Sequence, residues 1–247
     1  NGPAPPPGEE DREAEDHGEK RRADRSQRSL LGVVLAGGES RRFGQEKALY
    51  PLAGRPMARW AADALLDWTH GQVIIANDPR IPSALDLPGR PDEEPGLGPA
   101  GGLVTALKWA REEGHDGIFL LACDLPLVTS ELVGRILAAW PPDPPAVVPW
   151  SPGPLGLEPL CGGYEVRIVP ILERELRDGP RSMREMLARI RAHRVAAPKL
   201  GVEAELKRAF QNVNTRDEAA RVEARLRAQN TSSPPSLAFK RTPGGRP

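Results

Sequence analysis

At 247 residues the chain has room for one large domain or two small ones. Lys plus Arg number 34 and so do Asp plus Glu, and this absence of net charge argues against bulk binding to nucleic acid or to an acidic membrane surface. Hydrophobic residues make up 39 % and aromatics only 4 %, so a core must be built from Leu, Val, Ile and Ala, and no apolar run approaches the ~20 residues of a membrane span.

Residues 1–28 contain no Val, Ile, Leu, Met or aromatic side chain, which predicts a disordered N-terminal tail with no apolar signal core. LLGVVLAGG (30–38) is a continuous apolar run closed by glycines, as expected of a strand buried on both faces. MARWAADALLDW (57–68) follows Pro56 with apolar residues at helical spacing, and QVIIAND (72–78) is a second buried strand. GPAGGLVTALKWAREEG (98–114) predicts a helix stopped by Gly114, and GIFLLACDLP (117–126) a third strand stopped by Pro126. SELVGRILAAW (130–140) is the next helix, capped by Thr129 or Ser130. PAVVPW (145–150) and EPLCGGYEV (158–166) read as further strands, and VPILERELRDG and SMREMLARIR as helices. In FQNVNTRDEAARVEARLRAQ we expect a short strand and then a helix, with Thr215 and Glu218 placed as a capping box. Residues 230–247 are rich in Pro, Ser and Gly and predict a second disordered tail. The folded part is then one domain, 29–229. Its alternation of buried strands and helices predicts an α/β fold, a mostly parallel sheet with helices on both faces.

In such sheets ligands bind at the carboxyl ends of the strands, where Gly37–Lys47, Asn77–Asp78 and Asp124 fall. In the first segment, LAGGESRRFGQEK, glycines let backbone N–H groups approach a ligand, and Arg41, Arg42 and Lys47 add charge suited to a polyanion. It is not a P-loop: five residues separate Gly38 from Gly44, and Gln45-Glu46 follow where Lys-Ser/Thr is needed. Nor does GGESRRFG supply the G-x-G-x-x-G of dinucleotide binding. A carboxylate ending an apolar strand cannot stay buried and unpaired, so Asp124 should face the cleft, where Mg²⁺ and a nucleoside triphosphate are its natural partners. Cys123 and Cys161 have the spacing of neither a redox pair nor a metal site and read as buried free thiols of a cytoplasmic protein. The four histidines show no metal-ligand spacing. Trp60, Trp68, Trp109 and Trp140 sit at helical positions and are expected to pack rather than stack on a ligand.

With these residues in view, the chain resembles the molybdenum cofactor guanylyltransferases within the wider nucleotidyltransferase family. LAGGESRRFGQEKAL is similar to the family's L-A-G-G-x-S-x-R-M-G-x-x-K-A-L, VIIAN to its second strand end, and PDEEPGLGPAGGL to its D-x-x-x-G-x-G-P-L-A-G-L. LLACDLPLV resembles its metal-binding C-D-x-P strand, and EPLCGGY and FQNVNTRDEAAR its later motifs, all in family order. Phe43 stands for the usual Met, Ala100-Gly101 for Leu-Ala, Gly162-Gly163 for Ala-Leu and Arg216 for Pro, which puts the shape of an acceptor pocket near Cys161–Tyr164 in question.

The resemblance implies a Rossmann-like three-layer α/β/α nucleotidyltransferase fold and transfer of GMP from GTP to a molybdopterin, with release of pyrophosphate. It also implies Leu35, Ala36 and Gly37 lining the nucleotide site, Lys47, Asn77 and Asp92 touching GTP, and Asp124 holding Mg²⁺ beside the nucleotide. Arg41 and Lys47 are candidates for the pyrophosphate side, and Arg184, Asn212 and Asn214 for the pterin side. Small-molecule substrates are the expected partners, with transient contact to proteins that deliver or receive the cofactor and no nucleic acid or membrane. Gly37, where the similar cytidylyltransferases carry Ala, leaves room for a purine. The alternatives are a molybdopterin cytidylyltransferase, a sugar-1-phosphate nucleotidyltransferase, or a non-catalytic nucleotide-binding protein that should have lost Lys47 or Asp124.

Overall fold

A computed structural model of the chain describes residues 28–37, 43, 46–93, 96–153, 155–177 and 182–230. The strand β1 (Leu30–Leu35) is buried along its whole length, because it pairs on both sides and carries helices on both faces. Its parallel neighbours are β4 (Gly71–Ile75) and β6 (Gly117–Ala122). A small hairpin of β2 (Pro51–Leu52) and β3 (Arg55–Pro56) stands apart. The seven-stranded sheet adds β5 (Gly89–Arg90) outside β4, and β8 (Cys161–Glu165), β7 (Ala146–Pro149) and β9 (His193–Val195) beyond β6, in the order β5-β4-β1-β6-β8-β7-β9. Within this sheet, among the described strands, only β8 runs antiparallel to both its neighbours. The expected mostly parallel sheet is therefore present, and the chain leaves β1 toward β4 and β5 before returning to β6. That reversal creates a crevice at the carboxyl ends of β1 and its neighbours.

Period-two alternation divides the core between the faces. Leu30 and Val34 face one layer, with α1 (Met57–Leu65), α2 (Arg80–Leu85), α4 (Ser130–Ala138), α7 (Ala197–Leu200) and α8 (Glu203–Ala209). Leu31, Val33 and Leu35 face the other, with α3 (Pro99–Glu112), α5 (Val169–Arg177) and α6 (Met183–Arg189). A third cluster joins Phe43, Leu52 and Met57 to Val213, Ala219, Val222 and Leu226, packing α9 (Arg216–Asn230) against the hairpin. Phe43 is 2 % exposed and meets the Tyr50 ring edge-on at 4.8 Å, so this departure from the family pattern fills a core position.

Thr129 is the cap of α4, and the expected capping box opens α9: Glu218 N–H donates to Thr215 Oγ1 and Thr215 N–H to Glu218. The strand expected before α9 does not form. Val213 N–H donates instead to the Asp124 carbonyl at 2.9 Å, outside any ladder, while its side chain is buried in the third cluster. The strand expected in EPLCGGYEV does form, as β8, and Cys161–Tyr164 are buried within it. A Cβ at Gly162 would stand 2.6 Å from the Val147 carbonyl oxygen, and one at Gly163 2.3 Å from the Trp140 ring, so close packing accounts for both glycines. The indole N–H groups of Trp60, Trp68, Trp109 and Trp140 all donate within the frame, consistent with packing. Both cysteines are buried free thiols, and burial pushes the Cys123 thiol up to about 12. No helix among the described residues is long and apolar enough to cross a membrane.

Candidate active site

The carboxyl end of β1 is tied to those of β4 and β6 on either side, Ala36 N–H donating to Ile75 O at 2.9 Å and Cys123 N–H to Leu35 O at 3.0 Å. Backbone held this way gives a rigid floor. Above it lies a cavity of about 610 Å³ whose wall includes Leu35, Ala36, Gly37, Asn77 and Asp92, a size ordinary for a small-molecule ligand. These are the residues expected at the nucleotide. A Cβ built on Gly37 meets nothing within 4 Å, so the backbone there adjoins open space. Glu46 and Asp78 also line the cavity; both lie in segments expected at the cleft, although neither was assigned a role of its own. Asp78 is bonded to Arg80, which holds its carboxyl below the usual range.

The far wall is the segment that enters α3. Gly98 adopts φ 62° at its N-cap, a conformation that favours glycine, and Pro99 opens the helix. Gly98 and Pro99 line the cavity, and the first turn of α3 holds no acidic residue, so the positive end of the helix dipole is not offset there. Asp92 is held by its neighbours: its N–H donates to Asn77 Oδ1 at 2.9 Å, and its Oδ1 accepts from Thr105 Oγ1 at 3.2 Å.

On the β6 side, Lys47 Nζ donates to Asp124 Oδ2 at 2.8 Å and to Asn214 Oδ1 at 3.1 Å. Lys47 begins a 3₁₀ turn, Asp124 follows β6 and Asn214 precedes α9, so three distant segments meet here. Asn214 is fixed in turn by its N–H to Glu218 at 2.7 Å, and this bond is the main cause of the lowered Glu218 carboxyl. The lysine and aspartate side chains are 18 % and 21 % exposed, open enough to exchange partners. Asn212 is exposed beside this group and Arg184 is exposed on α6; no described hydrogen bond joins either to Lys47 or Asp124. Arg41, with Arg42, lies outside the described residues.

Among the described residues no group of three or more His, Cys, Asp or Glu side chains could hold a metal ion by itself. Asp124 offers a single carboxylate at the strand end. That set does not suit zinc, but it suits Mg²⁺, which takes one or two carboxylates and fills its octahedron with substrate phosphates and water. Glu158 is the other acid near Asp124, in the turn before β8, where its carboxylate accepts from Leu160 N–H at 3.3 Å. Burial, with the Asp124 charge adding, pushes Glu158 up to about 7. Its presence in EPLC was visible in the sequence, but nothing in the spacing signals its place beside Asp124. Thr105 was hidden in the same way, as an ordinary position within an apolar helix.

Residues 32–195 match the family model described as MobA-like NTP transferase domain. A molybdenum cofactor guanylyltransferase of Cereibacter sphaeroides is 34 % identical over 200 residues, covering 80 % of this chain and 97 % of the relative. Another of that name, from Desulfosudis oleivorans, is 31 % identical over 212 residues, covering 83 % and 99 %. Among solved structures, the molybdopterin-guanine dinucleotide biosynthesis protein A of Archaeoglobus fulgidus shares the fold, with a TM-score of 0.63 at 23 % identity over 81 % of this chain and 100 % of that one.

Proposed function

The chain belongs to the MobA-like NTP transferase family, and we propose that it transfers GMP from GTP to the terminal phosphate of molybdenum-molybdopterin, giving the guanine dinucleotide form of the cofactor and pyrophosphate. An oxygen of the acceptor phosphate forms a bond to the α-phosphorus of GTP as the bond from that phosphorus to the β-phosphoryl oxygen breaks. The observation that carries this reading is the meeting of Lys47, Asp124 and Asn214 at the carboxyl ends of β1 and β6, next to the cavity.

Leu35, Ala36 and Gly37 present fixed backbone to the nucleotide, and Asn77 and Asp92 contact it from the β4 side. The open space at Gly37 favours the larger purine, as do the relatives named guanylyltransferases, over the cytidylyltransferase and sugar-phosphate alternatives. Asp124 would hold a divalent cation, in this reading Mg²⁺, which supplies Lewis-acid stabilisation of the phosphates when bound. Lys47 offers a preplaced positive charge to the departing pyrophosphate, with Arg41 as its partner in that role. Asn214 is close enough to Lys47 to bring an acceptor phosphate toward the same charge, with Asn212 and Arg184 as further pterin-side candidates. The nucleophile is already ionised, so no general base is needed. In keeping with that, His70 and His115 lie before the amino ends of β4 and β6, at the opposite edge of the sheet. The buried thiols suit the reducing cytoplasm, where proteins delivering and receiving the cofactor would be met.

The test is pyrophosphate release with Mg²⁺ and molybdate-loaded molybdopterin, offering GTP and CTP in parallel. Release that requires both GTP and the pterin is the expected result. Release with CTP in preference, or only with a sugar phosphate, would overturn it.

A further inference from the structure

We propose that Thr105 is a positioning residue for nucleotide binding, its hydroxyl orienting the Asp92 carboxylate within the cavity. The inference rests on the reading that Asp92 contacts GTP, and it assigns a residue of α3 to that same site.

The need for such a residue follows from the topology. β5 is a two-residue strand at the sheet edge, and the last backbone bond to it is from Ala76 N–H to Arg90 O. Between Pro91 and the start of α3 no described strand pairing holds the chain, yet a carboxylate that recognises a ligand must keep one orientation. Side chains take over. Asn77 accepts from Asp92 N–H at 2.9 Å, and Thr105 Oγ1 accepts from Glu93 N–H at 3.1 Å while donating to Asp92 Oδ1 at 3.2 Å. A hydroxyl has one proton to give, and a carboxylate only accepts, so these two bonds fix the direction of the Thr105 O–H. The hydroxyl thereby reads both the backbone at 93 and the carboxylate at 92.

Thr105 is 1 % exposed and is the one polar side chain among the buried residues of α3. Packing alone would be served there by an apolar residue, since a buried hydroxyl stabilises nothing unless it is paired. One turn along the same helix, Lys108 pairs with Glu93 at 3.2 Å and with Glu173 of α5 at 3.1 Å, and these bonds raise its ammonium above the usual lysine range. Lys108 thus ties the loop to two helices, but it grips Glu93. Of the two α3 side chains, Thr105 is the one bonded to Asp92.

The experiment is a double-mutant cycle on the full chain, with GTP affinity measured by calorimetry and thermal melting run on each variant. Thr105→Val should weaken GTP binding about tenfold, the size of one hydrogen bond to a charged group. Thr105→Ser, which keeps the hydroxyl, should return affinity to within about twofold. With Asp92→Asn already present, Thr105→Val should cost less than about threefold more, a non-additivity that a role in loop packing alone would not produce. Turnover at saturating GTP should stay within about twofold of the parent, placing the effect on KM rather than kcat. GTP affinity unchanged by Thr105→Val, or losses that simply multiply, would overturn the proposal while leaving the role of Asp92 intact. A parent chain that does not bind GTP would overturn the functional reading and the proposal with it. Should Thr105→Val lose its cooperative melting transition, Thr105→Ala replaces it in the cycle and is read by the same criteria.

Discussion

On the β4 side of the cleft the described bonds of Asp92 are to neutral groups, an amide and a hydroxyl, whereas on the β6 side Asp124 accepts from the charged Lys47. The neutral bonds come from a strand end and a buried helix position, and nothing about them must change when a ligand arrives. The Lys47–Asp124 pair is partly exposed, so solvent screens it and its net worth is of the order of 0–1 kcal/mol. A phosphate and a divalent cation can each offer one of its members a stronger partner. In the proposed reading, one side is a preformed mould for the nucleotide, and the other is a pair of charges kept in place until the reacting phosphates replace it.

The largest test of that contrast is Asp124→Asn. With the cation's carboxylate gone, pyrophosphate release should fall about a thousandfold or more, as expected when several kcal/mol of Lewis-acid stabilisation are lost. The melting temperature should move by no more than about 2–4 °C, since the partly exposed, screened ion pair stabilises little. Full turnover of this variant with Mg²⁺ would remove Asp124 from the metal. Lys47→Met should lower kcat about a hundredfold, because the charge acts on the departing pyrophosphate rather than on bound GTP. Asp92→Asn should do the opposite, raising KM for GTP about tenfold with a smaller change in kcat. If Lys47→Met altered only KM, or Asp92→Asn only kcat, the division of labour between the two sides would fail. Steady-state kinetics with GTP varied at fixed pterin separates these outcomes.

How much of this was legible in the sequence depended on burial. β1, β6 and the Val73–Ile75 part of β4 are continuous buried apolar runs because helices cover both faces, and such runs announce themselves. β5 is two residues long and β9 reads His-Arg-Val, so these edge strands carry no pattern to find. At 210–214 the apolar Phe and Val imitate a strand, but they serve two different clusters, and the Val213 N–H belongs to the Asp124 carbonyl. In the site, residues at the carboxyl ends of the central strands were legible because each breaks an apolar run with a glycine or a polar group. Thr105 and Glu158 were not, since their importance lies in interactions across 13 and 34 positions of chain, a hydrogen bond to Asp92 and the charge of Asp124 respectively. Spacing along one element says nothing of such contacts.

Glu158 offers the most specific test, because it is a buried acid near Asp124 with no described bond to a cation. Burial raises it to about 7 from an ordinary 4.5, the nearby Asp124 charge adds to that rise, and only the Leu160 N–H opposes it. The folded chain thus binds this proton more tightly than the unfolded chain does. Its contribution to stability is accordingly lost as pH climbs from about 4.5, where the unfolded carboxyl ionises, to about 7, where the folded one does, and the full cost persists above that. Glu158→Gln keeps an oxygen for the Leu160 N–H and removes the charge. Its melting temperature relative to the parent should therefore rise with pH across that window and then level off, with a gain about 5–10 °C larger at pH 8 than at pH 5. A gain that is equal at both pH values would mean that the carboxylate stays ionised in the folded chain, and that its charge stands beside Asp124 throughout the working range.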